Sequence, residues 1–170
     1  IKFETYGVAM FHPVTTEYDQ MEEYARDFVE ALLESEKEYV VIFPNNDLGS
    51  KFILKEYEKL LNHPRFRIFP SIRFEYFLTL LKYAKFMVGN SSAGIREAPY
   101  YGIPVVNIGT RQKNRALHQD ILNCGYAKKE ILEAKAALAA SQASKTSYVK
   151  QITVNQTKRS FTIFVDKELG

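Results

Sequence analysis

The residues best suited to bind a ligand lie where the apolar run Phe86–Val88 ends and a helix begins. Here Gly89 and Asn90 precede two serines, Ser91 and Ser92, and Gly94 follows shortly after. This order indicates a strand, a tight turn and a helix N-terminus, which directs N–H groups and the positive end of a helix dipole at an anion. The serine hydroxyls can donate to phosphate oxygens, and Gly94 lets the backbone come close. The stretch therefore predicts a phosphate site.

Glu97 lies about one helical turn further on and needs a different partner. A carboxylate repels phosphate but can accept two hydrogen bonds from a ribose diol at once. A capping box does not explain it, because that motif requires Ser or Thr three residues before the Glu and Gly94 stands there. Glu97 is then a ribose ligand or a surface glutamate without a ligand.

Polar side chains also follow the other predicted strands. His12 could act as a general acid, donate a hydrogen bond to phosphate, or order its loop, since the ordinary pKa of histidine lies near neutrality. Asn45 could read the edge of a base or stabilise a turn. Ser71 follows a third strand, and Arg111 follows a fifth, where its guanidinium could bind phosphate through two parallel hydrogen bonds.

This set of residues lacks the paired carboxylates that acid–base chemistry on a sugar usually needs. We find Glu97 alone at this edge and assign it to a ribose. The sequence therefore predicts half of a site, and we expect another domain to supply the other half.

Strands and helices alternate along the chain, with short connections between them. The predicted strands are Tyr6–Phe11, Tyr39–Phe43, Phe66–Phe69, Phe86–Val88 and Val105–Ile108, and the helices are Tyr18–Ser35, Lys51–Leu61, Phe74–Ala84 and Ile95–Tyr101. This alternation predicts an α/β fold with a parallel sheet and helices on both faces. Ligands bind beyond the carboxyl ends of the strands in such sheets, which is where the polar residues fall.

The last third of the chain shows weaker patterns. The Ala- and Leu-rich segment Glu130–Ala140 predicts a helix, and Ser141–Ser147 a polar loop. The segment Tyr148–Glu168 is ambiguous: β-branched and aromatic residues at 152–154 and 161–165 favour strands, whereas a helix that needs a partner domain remains an alternative.

Composition limits the class of protein. The 170 residues predict one domain, and a net charge of +3 is too balanced to indicate binding to nucleic acid or an anionic membrane. The single cysteine, Cys124, excludes an internal disulfide, and the sequence shows no leader and no apolar run of transmembrane length. The three histidines lack metal-ligand spacing. We expect no metal, no cofactor and a location in the cytoplasm.

Four ordered motifs resemble the C-terminal half of hydrolysing UDP-N-acetylglucosamine 2-epimerases of the sialic-acid pathway type. They are His-Pro-Val-Thr-Thr-Glu at 12–17, Phe-Pro-Asn-Asn-Asp-Leu-Gly-Ser at 43–50, Gly-Asn-Ser-Ser-Ala-Gly-Ile-Arg-Glu-Ala-Pro at 89–99 and Gly-Ile-Pro-Val-Val-Asn-Ile-Gly-Thr-Arg-Gln at 102–112. The resemblance runs from about Tyr6 to Arg115. It departs from the family at Asn114, where a glycine is usual, and in the C-terminal segment 148–170.

The resemblance implies a two-domain fold of the glycosyltransferase B type, in which residues 1–170 form a single Rossmann-like UDP-binding domain with an uncertain tail at 141–170. It places His12 near the pyrophosphate and the leaving oxygen as the catalytic residue. The other contacts that it implies are Asn45 and Ile72 at the uracil, Ser91, Ser92 and Arg111 at the phosphates, and Glu97 at the ribose.

The implied reaction eliminates UDP from the sugar while a base removes the proton at C2. Water then adds to the glycal and yields N-acetylmannosamine. The family's catalytic carboxylates belong to an N-terminal domain outside this chain, so we expect that domain as a partner, and a homo-oligomer. Two alternatives stay open: a hydrolysing epimerase for a UDP-diacetamido-trideoxy sugar of the legionaminic-acid type, and a non-catalytic nucleotide-binding module.

Overall fold

The computed structural model describes residues 3–115 and 118–157. Six parallel strands form one sheet in the order β3-β2-β1-β4-β5-β6. The strands are β1 Gly7–Met10, β2 Tyr39–Ile42, β3 Phe66–Phe69, β4 Phe86–Gly89, β5 Val105–Ile108 and β6 Ile121–Cys124. The α-helices are α1 Met21–Glu34, α2 Ser50–Tyr57, α3 Phe74–Tyr83, α4 Ala93–Tyr100 and α5 Lys128–Thr157, and 3-10 turns cover Thr15–Gln20 and Glu58–Leu60.

The central strands are apolar throughout because both faces of the sheet are covered. In β1, Ala9 belongs to a core that includes buried residues of α1, α2 and α5, whereas its neighbour Val8 belongs to a second core with α3 and α4. Successive side chains of a strand point to opposite faces, so a strand between two helical layers needs apolar residues at every position. The predicted α/β fold, with a parallel sheet and helices on both faces, is confirmed.

The edge strand β6 was not predicted. Ile121 is buried, but Asn123 is exposed, and β6 pairs with β5 as its one neighbour in the sheet. A strand at the edge of a sheet is partly solvated, so its sequence lacks the continuous apolar run that marks the central strands β1 and β2. The Asn107 side chain of β5 donates to Asn123 Oδ1 at 2.8 Å, a side-chain bond across this pair.

The helix α5 is longer than the sequence indicated. It continues through the segment predicted as a loop, Ser141–Ser147, and through residues 152–154, where the β-branched residues favoured a strand. The loop and the strand were wrong for the described backbone, and the alternative of a helix is confirmed up to Thr157, since no glycine or proline between Lys128 and Thr157 interrupts the helix. The second predicted strand, 161–165, lies outside the described residues.

Candidate functional site

A cavity of about 410 Å³ lies beyond the carboxyl ends of β1 to β4. The loop after β1 leads to α1 on one face of the sheet, and the loop after the adjacent β4 leads to α4 on the other. Such a topological switch point is the usual ligand crevice of an open α/β sheet. Six of the residues that the sequence analysis placed at this edge line the cavity: His12, Asn45, Ser71, Ile72, Ser92 and Glu97.

Asn90 holds the two loops of the switch point together. Its Oδ1 accepts a hydrogen bond from the His12 backbone N–H at 2.7 Å, and its Nδ2 donates to the His12 carbonyl at 2.8 Å. The Asn90 backbone N–H donates to the Met10 carbonyl at 3.1 Å. Asn90 is fully buried, so these bonds fix His12 relative to the start of α4.

The imidazole of His12 has a defined tautomer. Its Nδ1 accepts the backbone N–H of Asn45 at 3.0 Å, so in the neutral ring the proton lies on Nε2. Burial, followed by the Arg111 cation, lowers the pKa of His12 to about 4, although the Asp47 carboxylate acts in the opposite direction. At neutral pH the ring is therefore uncharged, and its free donor is Nε2–H.

We expect the NMR signals of His12 to titrate near pH 4 and to show an Nε2-protonated neutral ring at pH 7. Because the unfolded chain takes up this proton near pH 6.5, the contribution of His12 to stability should be lost as the pH falls from about 6.5 to 4. A His12→Gln variant assigns the signal and should show a weaker dependence of unfolding on pH in that window. Titration of His12 between pH 6 and 7 would contradict the burial of the ring and the effect of the Arg111 charge.

Arg111 and Gln112 bring donors from the loop after β5. Arg111 Nη1 and Gln112 Nε2 both donate to the Asn90 carbonyl, at 3.3 and 3.2 Å. Gln112 is buried, and its Oε1 has no hydrogen-bond partner within the described part of the chain. Arg111 does not line the cavity, but its charge is close enough to His12 to help lower the pKa of that ring. The loop therefore carries positive charge to the edge of the cavity.

The predicted residues at the start of α4 have two different roles. Ser91 is buried, and its Oγ accepts the Ala93 N–H at 3.3 Å, while its hydroxyl can still donate. Gly94 faces the sheet instead: a Cβ there would lie 3.0 Å from Val105 Cγ1, and its N–H donates to the Ser91 carbonyl. Helix packing thus accounts for Gly94, and its contact with a ligand stays a prediction.

One wall of the cavity is apolar. It is formed by Phe43, Pro44, Pro70, Ile72, Phe74 and Phe77. Ile72 is one of these residues, and the sequence indicated it through the family resemblance alone. An apolar wall next to Asn45 suits a flat heterocycle, because the wall can cover the ring while the amide contacts its polar edge.

Sequence reasoning missed several polar residues at this edge. It did not assign the bridging residues Asn90 and Gln112, and it placed Glu97 there as the one carboxylate. Asp47 also lies at this edge and accepts a hydrogen bond from the Asn45 side chain. Glu17 accepts from Thr110 Oγ1 at 2.5 Å. The same signal, a polar residue shortly after a strand, would have found them.

The described residues contain no group of three His, Cys, Asp or Glu side chains that could hold a metal ion. Burial and, to a lesser extent, the nearby Glu130 raise the pKa of Cys124 to about 12, which opposes a role as a thiolate nucleophile. Among the described helices, none is long and apolar enough to span a bilayer.

Comparison with known proteins gives a consistent picture. The family described as UDP-N-acetylglucosamine 2-epimerase matches residues 1–159. The chain is 53% identical over 134 residues to a UDP-N-acetylglucosamine 2-epimerase of Neisseria meningitidis. The aligned residues cover 79% of this chain and 35% of the relative. It is 30% identical over 114 residues to the hydrolysing UDP-N,N'-diacetylbacillosamine 2-epimerase of Legionella pneumophila. This alignment covers 67% of this chain and 30% of the relative.

Among solved structures, the chain resembles the Methanocaldococcus jannaschii UDP-GlcNAc 2-epimerase, whose structure was determined with UDP-GlcNAc and UDP. The TM-score is 0.63 at 18% identity, over 79% of this chain and 38% of the other. At this identity the likeness shows the fold alone. The chain spans about a third of the length of these curated relatives.

Proposed function

Since this chain belongs to the UDP-N-acetylglucosamine 2-epimerase family, we propose that it is the UDP-binding half of a hydrolysing enzyme that converts UDP-N-acetylglucosamine to N-acetylmannosamine and UDP for sialic-acid synthesis. The observation that carries this proposal is the position of His12. Its neutral ring lines the switch-point cavity beside Asn45 and near the Arg111 charge. The remaining catalytic groups come, in this proposal, from an N-terminal domain, and the enzyme is a homo-oligomer.

In the proposed complex each part of the nucleotide lies against the part of the cavity that matches its polarity. The uracil lies against the apolar wall that includes Ile72, with Asn45 at its edge. Glu97 accepts the two ribose hydroxyls. The diphosphate lies at the N-terminus of α4, where Ser91, Ser92 and Arg111 add donors to the helix dipole. This arrangement keeps Glu97, which lies one turn inside the helix, away from the phosphate charge.

The surroundings of His12 favour a hydrogen-bond donor over a general acid. Protonating Nδ1 would point its N–H at the N–H of Asn45, because that nitrogen now accepts this bond. Nε2–H can donate to the oxygen that leaves C1 and stabilise the charge that develops on UDP. In the proposed reaction a base removes the proton at C2 as the C1–O bond breaks, and water then adds to the glycal with inverted configuration at C2.

A second substrate is supported by two relatives that are named as hydrolysing diacetylbacillosamine 2-epimerases. The Legionella pneumophila enzyme named for UDP-N,N'-diacetylbacillosamine is 30% identical to this chain. Both candidate substrates carry UDP, so the nucleotide contacts proposed here suit either one. Assays of a two-domain protein that contains this chain, with each UDP-sugar in turn, separate the two candidates.

We expect this chain to bind UDP saturably in calorimetric titration, and Glu97→Ala to weaken the binding by about tenfold or more, because a charged pair of hydrogen bonds to the ribose is lost. Glu133→Ala on α5 is the matched control, since Glu133 is an exposed carboxylate paired with Lys129 far from the cavity. Equal UDP affinities for the Glu97 variant and the unmodified chain would contradict the ribose assignment. A folded chain that does not bind UDP would contradict the proposed site.

A further inference from the structure

A second cavity, of about 250 Å³, lies at the opposite edge of the sheet, where the strands begin. Its walls come from the end of α1, the start of β4 and the middle of α5. The apolar lining residues are Phe86, Leu132, Ala136, Leu138 and Ala139, and the polar ones are Ser35, Lys37, Lys135 and Gln142. The cavity is larger than the roughly 150 Å³ that holds a benzene molecule in an engineered protein core. It can therefore accommodate a small organic molecule.

Lys135 is the unusual residue of this cavity. Its amine contacts the Tyr39 hydroxyl, which in turn shares a 2.7 Å hydrogen bond with Ser35 Oγ. The amine also lies over two aromatic rings, 4.8 Å from the centroid of Tyr39 and 5.6 Å from that of Phe86. Neither ring nor hydroxyl carries a negative charge, and the described residues that line the cavity include no carboxylate.

A positive charge acts on Lys135. Lys37 approaches from the turn between α1 and β2, and Arg65 acts on Tyr39 from the segment before β3. Burial, together with repulsion from Lys37, lowers the pKa of Lys135 to about 7. A half-buried amine that is repelled by a neighbouring lysine is therefore an incomplete electrostatic group.

We propose that this cavity is a binding site for a small organic anion, with its carboxylate beside Lys135 and its apolar body against Phe86, Leu132 and Leu138. The carboxylate supplies the counter-charge that Lys135 and Lys37 lack. The apolar lining covers the rest of the ligand. This site is independent of the proposed nucleotide site, because the two lie at opposite ends of the same strands.

Binding at this site takes up a proton. An adjacent carboxylate favours the ammonium form and so raises the pKa of Lys135 above its value in the empty cavity. Since that value is about 7, roughly half of the amines are neutral at pH 7, and most are neutral at pH 8. Each bound anion should therefore take up about half a proton at pH 7 and close to one at pH 8.

Benzoate and its neutral isostere benzamide test the proposal with the full 170-residue chain. Calorimetric titrations at pH 8, in two buffers of different ionisation enthalpy, give both the affinity and the number of protons taken up. We expect saturable binding of benzoate with proton uptake, and affinity for benzamide lower by about tenfold or more, because benzamide cannot pair with the ammonium group. Equal affinities for the two probes, or binding without proton uptake, would overturn the proposal.

The Lys135→Met variant tests whether benzoate binds in this cavity. This variant should fold, since methionine suits the apolar lining, and should lose benzoate affinity by about tenfold or more together with the proton uptake. Lys129→Met is the matched control, because Lys129 is an exposed lysine of the same helix and pairs with Glu133. Unchanged benzoate binding by Lys135→Met would place the probe elsewhere and overturn the site, and so would the absence of saturable binding to the unmodified chain.

Discussion

Replacing Gly89 by alanine should prevent the chain from folding stably. Gly89 has φ +138°, and a Cβ there would lie 1.9 Å from the Met10 carbonyl oxygen and 2.6 Å from the carbonyl carbon. Both atoms belong to the backbone of β1, and Met10 is the partner of Gly89 in the central pair of strands. The clash is relieved only by separating β1 from β4 at the switch point. We expect a loss of about 4 kcal/mol or more, a large part of the stability of an ordinary domain.

Gly102→Ala is the matched control for this prediction. Gly102 has φ +66°, and no heavy atom lies within 4 Å of a Cβ built there. This variant carries the penalty of a left-handed backbone, about 1–2 kcal/mol, without a steric clash. Urea unfolding followed by circular dichroism compares the two variants with the unmodified chain. A Gly89→Ala protein about as stable as Gly102→Ala would show that β1 and β4 do not approach as described.

Removing the His12 side chain should abolish most of the turnover of a two-domain enzyme. We expect His12→Ala to lower kcat by about 10²–10³-fold, the usual effect of losing one hydrogen bond to a developing oxyanion. The loop itself should persist, because Asn90 binds the backbone of His12 and not its ring. A chimera that joins the N-terminal part of the Neisseria meningitidis relative to this chain provides the enzyme, and release of UDP provides the assay.

His63→Ala is the matched control in the chimera. His63 Nδ1 also accepts a backbone N–H, from Arg65 at 3.3 Å, but this residue lies before β3 at the opposite edge of the sheet. Its removal should leave kcat within about twofold. The pH profile then separates the two roles of His12: a descending limb of kcat that disappears in His12→Ala would indicate a general acid and contradict the hydrogen-bond donor proposed here.

The sequence was informative wherever one local rule decided the outcome. Strands covered on both faces must be almost entirely apolar, so the four inner strands β1, β2, β4 and β5 were found as short apolar runs. Parallel strands share their carboxyl edge, so the polar residues after them were expected together, and the structure places His12, Asn45, Ser92 and Glu97 around one cavity. Where the local rule was weak, the prediction failed: β6 is a half-solvated edge strand, and α5 continues through residues of poor helix propensity.

Some properties depend on contacts between residues far apart in the chain, and no sequence pattern reports them. The tautomer of His12 and the fall of its pKa to about 4 require the Asn45 N–H, burial and the Arg111 charge, which come from three different loops. In the sequence Asn90 is typical of a turn. In the structure its side-chain amide makes two hydrogen bonds with the backbone of His12. In the sequence Lys135 does not differ from the other lysines of its helix. In the structure the packing of α5 places its amine over the rings of Tyr39 and Phe86. The sequence alone determined five of the six described strands and the edge of the sheet at which the polar residues gather, because those follow from residue type and period. The tertiary structure decided protonation, orientation and the second cavity, because desolvation and electrostatic interactions depend on which elements meet in space.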